Sequence, residues 1–460
     1  MSQRMEKDTM GEIAVPAAAL YGAQTQRALD NIAIARERRM PPPFLRALAR
    51  VKAAAATANA RVGVLDEAVA AAIAASALSV AAGEYLDAFP VPVFQTGSGT
   101  SSNMNMNEVL ATLASRRSGG PVHPNDHVNC SQSSNDVVPT AIQVAAALEL
   151  ESLLLPAINT LESSLLRRAP ELEAVVKTGR THLMDAMPVT LGFELRTWAA
   201  QLRECRQRLA DLRPRLQALP IGGSAVGTGV NVPPDYVGVL LASLAAETGV
   251  PFTAAAMPST RMAAQDVNVE CSACLRGVAL VLIKMANDLR WMGSGPLAGL
   301  GEIRLQALQP GSSIMPGKVN PVVPEAVLMA ATEILGNDAT IALAAQSGSF
   351  QLNVMLPLVA DKLLGGIALL ADACAAMAGC VGGLEPCVEH ASDTVARNPI
   401  LATALNPVIG YDAAAAIAKR AFREGRTVLE VALEETDLSR EQLTRLLDPL
   451  PLARGGRADP

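Results

Sequence analysis

Residues 311–321 read GSSIMPGKVNP and concentrate reactive groups in one short stretch of a 460-residue chain. Two adjacent hydroxyls, Ser312 and Ser313, stand between Gly311 and a Pro316-Gly317 turn, with Lys318 and Asn320 just after. Gly and Pro here favour an irregular, mobile loop over a helix. Such a loop can gather backbone N–H groups, a cation and an amide around one small anion. It is not a P-loop. That motif has four residues between its Gly and its Gly-Lys pair, then Ser or Thr. Here five intervene and Val319 follows Lys318, so a nucleotide reading fails.

Three other stretches carry polar groups suited to small anions. Residues 96–109, TGSGTSSNMNMNEV, place Ser98 and Thr100 in a Gly-flanked turn before a helical run. A helix N-terminus favours carboxylates, although ordinary N-capping uses the same residue types. Asn103, Asn105 and Asn107 add neutral amide donors. Residues 123–136, HPNDHVNCSQSSND, put Ser133, Ser134 and Asn135 ahead of an apolar helix. The plainer alternative is a helix start capped by Asn135 or Asp136. His123 and His127 have a metal-like i,i+4 spacing, but Pro124 argues against a helical metal face, and no metal is expected. Residues 179–188, GRTHLMDAMP, hold His182 in a polar loop with Arg180, Thr181 and Asp185. Such a His is either an acid–base group or a satisfied polar side chain.

These four segments resemble the signature regions of the fumarase/aspartase superfamily of lyases, and more closely those of class II fumarases. Weaker similarity runs from about residue 10 to about residue 448. The resemblance implies reversible hydration of fumarate to L-malate through an aci-carboxylate, without a cofactor. It implies Ser312 as the base, acting as alkoxide, and His182, oriented by Glu325, as the group handling water. It implies substrate contacts at Ser98, Thr100, Ser133, Ser134, Asn135, Thr181, Ser313, Lys318 and Asn320. Aspartases carry Gln where His182 stands, so the His favours hydration over ammonia loss. Family members often have Gln where Met184 stands. His123, Asn125 and Asp126 match a second, peripheral anion site, but the Arg three residues before the matching His is Gly120 here. Another lyase of the superfamily, an aspartase or a substituted-fumarate hydratase, is the alternative; a silent helical scaffold is a third.

The elements that must position these residues are helical. Half the residues are hydrophobic yet only 3% are aromatic, so Ala, Leu and Val must form closely packed helices. Apolar helices are expected at 138–168, 264–290, 322–346 and 353–383, and two Ala-rich helices, divided near Gly63, between 43 and 88. Leu191, Leu195, Trp198, Leu202, Cys205, Leu209, Leu212, Leu216 and Leu219 alternate steps of four and three, an a/d seam that Pro214 should kink or end. A seam of that length predicts a bundle with helices shared between subunits. Residues 1–40 read as an extended arm, and residues after 398 as two or three short helices with a disordered tail from 451. The resemblance implies a mostly α, three-domain fold with a central long-helix bundle. It also implies a homotetramer with a shared helical core, each active site drawing on three subunits. The expected domains are 1–136, 137–395 and 396–460.

A net charge of −6 with no basic block argues against nucleic acid. The start MSQRMEKDTMGE is too polar for a signal peptide, and a cytoplasmic protein is expected. Seven scattered cysteines then read as free thiols. Cys271 and Cys274 form a CxxC without a second pair and read as buried structural residues. Residues 363–384 are apolar enough to raise a membrane span, but Asp372 near the middle favours a buried bundle helix.

Overall fold

The structure is a computed structural model of the chain and describes residues 2–455. Its strands form only two-stranded sheets among the described residues, so helices and their ends must carry the site. The residues cluster into two compact units. One comprises Met1–Pro156, Arg206–Ala279 and Thr332–Ala371, the other Ala157–Cys205, Leu280–Ala331 and Asp372–Pro460.

In the first unit the expected extended arm is a hairpin, β1 (Gln3–Asp8) against β2 (Gly11–Pro16), followed by a helix, α1 (Ala23–Asn31). Sequence-local signals for α1 are weak because its N-cap, Gly22, offers no side chain. The cap comes from Glu108 instead. Its carboxylate accepts from the backbone of Gly22 (2.9 Å), Gln24 (2.8 Å) and Thr25 (3.2 Å) and from the Thr25 hydroxyl (2.6 Å). Next come α2 (Pro42–Arg61) and α3 (Glu67–Ala81), divided at Gly63 as expected. Their alanines bury Ala55, Ala58 and Ala77 completely, which permits close helix contact. Helix α4 (Thr100–Ser118) precedes α5 (Ser134–Glu149), which runs through a wider π turn into α6 (Leu155–Arg168), a helix that belongs to the second unit from Ala157. The expected helix at 138–168 thus begins four residues early, at Ser134.

In the second unit the expected polar loop at 178–188 is instead a hairpin, β3 (Val176–Thr181) against β4 (Met184–Thr190). Its two-residue tip is His182-Leu183, with φ of +56° and +60°. Tight hairpin turns of this sort normally advertise themselves with Asn or Gly. Here neither residue does, which is why the turn is invisible in the sequence. Helix α7 (Leu191–Leu216) follows. Every seam residue from Leu191 to Leu219 is buried, and the helix ends two residues after Pro214. The chain then returns to the first unit for α8 (Tyr236–Thr248) and the short α9 (Ser259–Met262), while α10 (Asp266–Met292), α11 (Val322–Ala345) and α12 (Leu356–Gly382) each have residues in both units. Cys271 is fully buried inside α10 and Cys274 half-buried.

Three helical stretches are long and apolar enough to cross a membrane by length and composition: Ser134–Leu172, Val322–Ala345 and Leu356–Gly382. The first and third are 61% buried within the chain, but α11 only 33%. Met329 and Leu343 on α11 stay 70% and 63% exposed. Beyond residue 387 a separate core of Leu401, Leu405, Ile417, Val431 and Leu443 is enclosed by more helices than the two or three expected. Two of them start at capping boxes, Thr427 with Glu430 and Ser439 with Gln442. Residues 451–454, expected to be disordered, finish a last helix, Pro449–Arg454; the rest of that tail, from 456, lies outside the described residues.

Candidate active site

The first unit builds one donor group from two helix starts. The turn before α4 is pressed against the segment leading into α12. A Cβ on Gly97 would lie 1.7 Å from the Val354 carbonyl oxygen, and the Gly97 carbonyl accepts from Leu356 N–H at 3.0 Å. Gly99, at φ +75°, is the N-cap and has no side chain to offer, and the Gln95 side chain caps α4 from outside, accepting from Ser102 N–H. Ser98 makes only a long contact with the helix start, and the Thr100 hydroxyl caps none of its N–H groups. The two hydroxyl oxygens lie 2.9 Å apart at the positive end of a 19-residue helix, where Thr100 N–H reaches Ser98 Oγ at 3.4 Å and Ser102 N–H donates to Gln95 Oε1 at 3.0 Å.

Helix α5 starts beside it, with Val138 against Gly99. Here the cap is Ser133, not Asn135 or Asp136. Its Oγ accepts from Asn135 N–H at 3.2 Å, and Asp136 returns a carboxylate to Ser133 N–H at 3.0 Å, closing a capping box. Asn135 Nδ2 donates to the Ala225 carbonyl at 2.9 Å. Ser134 Oγ accepts from Asn103 Nδ2 at 2.9 Å, which leaves its own O–H proton for another partner. The second oxygen of Asp136 accepts from Gly222 N–H (3.0 Å) and Ser224 N–H (2.9 Å), tying the Gly-rich loop at 221–234 to the same place. Burial pushes Asp136 up to about 6, against the pull of those N–H groups and of Lys52. Burial likewise pushes Lys52 down to about 7.

The second unit presents two further stretches. Thr181, His182 and Met184 are exposed at the tip of the β3–β4 hairpin. The base of that hairpin is held by buried charges. Arg180 meets Glu302 at 2.7 Å, and Lys177 lies 3.3 Å from Glu194 and 3.5 Å from Glu302, whose side chain is only 2% exposed. The loop at 311–320 is closed by its own bonds. Gly311 N–H donates to the Lys318 carbonyl at 2.8 Å, and Asn320 Nδ2 donates to the Gly311 carbonyl at 2.8 Å, leaving one amide N–H. A Cβ on Gly311 would lie 2.4 Å from the Lys318 carbonyl oxygen, so this closure requires glycine. Within the loop, Ser312 Oγ accepts from Ile314 N–H at 3.2 Å and Met315 N–H at 3.1 Å. Ser313 and Lys318 are exposed. Glu325 is exposed in the first turn of α11. Among the described residues no hydrogen bond joins His182 to Glu325 or to Ser312, so a single chain leaves the expected partners apart.

At the peripheral anion site expected by resemblance, His123 caps the short turn Pro124–Val128. Its Nδ1 accepts from Asn125 N–H (3.3 Å) and Asp126 N–H (3.1 Å), which leaves Nε2 facing outward. Nothing lies within 4 Å of where a Gly120 side chain would begin, and nearby Arg117 is engaged with Ser79 at 3.1 Å. Sequence reasoning did not single out Lys52, Asn129 or Glu302. Each acts on a residue distant in the chain, and only Glu302, an acid beside glycines, offered any local hint.

A family profile described as lyase matches residues 11–336, and one described as fumarase C C-terminus matches residues 401–454. The chain is 55% identical over 454 residues to the Pseudomonas aeruginosa protein named fumarate hydratase class II 2, covering 98% of this chain and 99% of that one. It is 48% identical to the Thermus thermophilus protein named fumarate hydratase class II, covering 99% of each. The crystal structure of class II fumarase from Schistosoma mansoni matches with a TM-score of 0.96 at 36% identity, over 98% of this chain and 99% of that one. A Brucella melitensis fumarate lyase:delta crystallin structure, bound to cobalt, matches with a TM-score of 0.94 at 42% identity, over 98% and 100%. The mostly α, fumarase/aspartase-like fold expected from the resemblance is the fold of this chain.

Proposed function

The chain belongs to the class II fumarase family of lyases, and from that premise we propose that it hydrates fumarate reversibly to L-malate, with Ser312 as base and His182 as acid. The observation that carries this reading is the double N–H donation to Ser312 Oγ. A serine hydroxyl is a feeble base unless its alkoxide is stabilised. Hydrogen bonds to a charged form favour that form, and Lys318 adds a cation in the same loop.

In the malate-to-fumarate direction the Ser312 alkoxide takes a C3 proton. The C3–H electron pair moves onto the neighbouring carboxylate and gives the aci-carboxylate. Lys318 and the spare Asn320 N–H are donors of the type that stabilises such charge, each worth roughly 3 to 4 kcal/mol when well aimed. The electrons then return to form the C2–C3 double bond and expel the C2 hydroxyl. His182 protonates the leaving oxygen, so water departs. Ser98, Thr100, Ser133, Ser134 and Asn135 hold the substrate's carboxylates, with Thr181 and Ser313 as further contacts. Glu325 orients His182.

These groups meet through assembly into a homotetramer, three subunits contributing to each site. Two features support this. Leu183, Met184, Ile314, Met315 and Val319 are all at least half exposed beside site residues. Helix α11, though apolar, is only one-third buried by its own chain. Exposed apolar surface of this extent marks an interaction face.

Fumarate absorbance followed with and without ammonia tests the reaction. The purified protein should consume fumarate and form malate without ammonia. His182→Asn should lose about 10² to 10⁴ in kcat, and Ser312→Ala at least as much, both without unfolding. Product only in the presence of ammonia, or unchanged turnover in both variants, would overturn the proposal.

A further inference from the structure

Behind the Ser133–Asn135 donors lies a buried set of amides whose polarity is set by one cation together with one backbone carbonyl. Lys52, on α2, is wholly buried. Its Nζ donates to Asn129 Oδ1 at 3.0 Å. The same oxygen accepts from Asn103 Nδ2 at 3.1 Å and Asn107 Nδ2 at 3.0 Å, both on one face of α4. Asn129 Nδ2 donates to the Gln132 carbonyl at 3.1 Å. Asn103 spends its other N–H on Ser134 Oγ at 2.9 Å. Asn103 Oδ1 and Asn107 Oδ1 are buried without a hydrogen-bond partner.

An amide can be turned end for end, so something must decide which way each one faces. An ammonium has three donors and no acceptor. Whatever faces Lys52 must therefore be an oxygen, which fixes Asn129 in the same sense as the Gln132 carbonyl that accepts from its Nδ2. An oxygen at that point demands N–H groups from Asn103 and Asn107, which fixes both. Asn103 then has to donate to Ser134, and the Ser134 hydroxyl cannot give its own proton inward. Turned the other way, Asn103 would accept that proton and remove it from the substrate side. The two stranded Oδ1 atoms are the cost of holding this one arrangement.

We infer that Lys52 is a positioning residue for substrate binding: through Asn129 and Asn103 it aims the Ser134 O–H at the substrate carboxylate. This rests on the reading of Ser134 as a carboxylate contact. Lys52 touches no substrate and takes no part in proton transfer.

The test is a double-mutant cycle on the full-length enzyme at about pH 6.5, below the value near 7 to which burial lowers Lys52, so that its charged form predominates. Lys52→Met, Ser134→Ala and the double variant are compared for KM and kcat. Ser134→Ala should raise KM about tenfold, the worth of one hydrogen bond to an ion. Lys52→Met should raise KM severalfold, to no more than that, with kcat within about twofold of wild type and undiminished thermal stability. In the Ser134→Ala background Lys52→Met should have no further effect, because residues acting in one chain are not additive. Lys52→Gln, which can still offer an N–H to Asn129, should restore most of the wild-type KM. If Lys52→Met yields no folded protein, Asn103→Ala takes its place in the same cycle. A KM unchanged by Lys52→Met, or one raised equally with and without Ser134, would overturn the inference. A wild-type KM in Ser134→Ala would instead sink the reading of Ser134, and this inference with it.

Discussion

Lys52 is held in surroundings that oppose its charge, and this has a consequence for stability. Its ordinary value of 10.5 falls to about 7 through burial. Between those values the unfolded chain holds a proton that the folded chain lacks, so this group makes stability rise with pH. Below about 7 both states are charged and the full cost of burial is felt. Asp136 works in the opposite sense, raised from 3.8 to about 6. Over that interval the folded chain holds the extra proton, so stability falls as pH rises, and above it the contribution is constant. Lys52→Met should therefore melt above wild type near neutral pH, and the gap should narrow as pH rises toward about 10. Melting curves across that range measure it; a gap independent of pH would contradict the assignment. Nothing in the sequence announced this residue. It sits in an Ala-rich helix, and its partner Asn129 is 77 positions away. The hydroxyls proposed to meet the substrate were legible because they crowd into short Gly-flanked runs. The amides proposed to aim them were not, because their hydrogen bonds depend on which helix ends the fold brings together.

At the level of elements, the helices were legible and the turns were not. The a/d seam of α7 repeats every few residues, and burial of each seam position follows from that repetition. The ends of α10, α11 and α12 fall within three residues of those expected. The β3–β4 hairpin escaped because His182 and Leu183 adopt positive φ without Gly or Asn. A side chain at φ near +60° costs of order 1 kcal/mol, and buried ion pairs of Lys177 and Arg180 with Glu302 anchor the hairpin base beneath it. The turn before α4 shows the opposite case, a glycine imposed by a neighbour. Gly97→Ala puts a carbon 1.7 Å from a backbone oxygen that cannot rotate away. The turn must shift and carry Ser98 and Thr100 with it. A displacement of roughly 1 Å should lower kcat/KM by about 10² while circular dichroism stays helical. Wild-type kinetics in Gly97→Ala would show that those hydroxyls do not set substrate geometry.

For the whole molecule, the account depends on chains meeting. One chain carries every group the proposed reaction requires, yet His182 is bonded to neither Ser312 nor Glu325. Apolar side chains stand exposed beside the hairpin tip and the 311–320 loop, and only 33% of the apolar window of α11 is buried within its own chain, with Met329 and Leu343 exposed. Sequence periodicity hinted at this through a seam too long for a small domain to bury. Which face of which helix waits for a partner is a property of the folded chain and is not written in any local pattern.

The most direct test mixes two inactive proteins. His182→Asn and Ser312→Ala are co-expressed in equal amounts and fumarate hydration is measured on the hybrid assemblies. If His182 and Ser312 of one site come from different subunits, each site has about a one-in-four chance of receiving both intact, so the mixture should recover about a quarter of wild-type activity. Hybrid assemblies that form but remain as inactive as either parent would contradict the account.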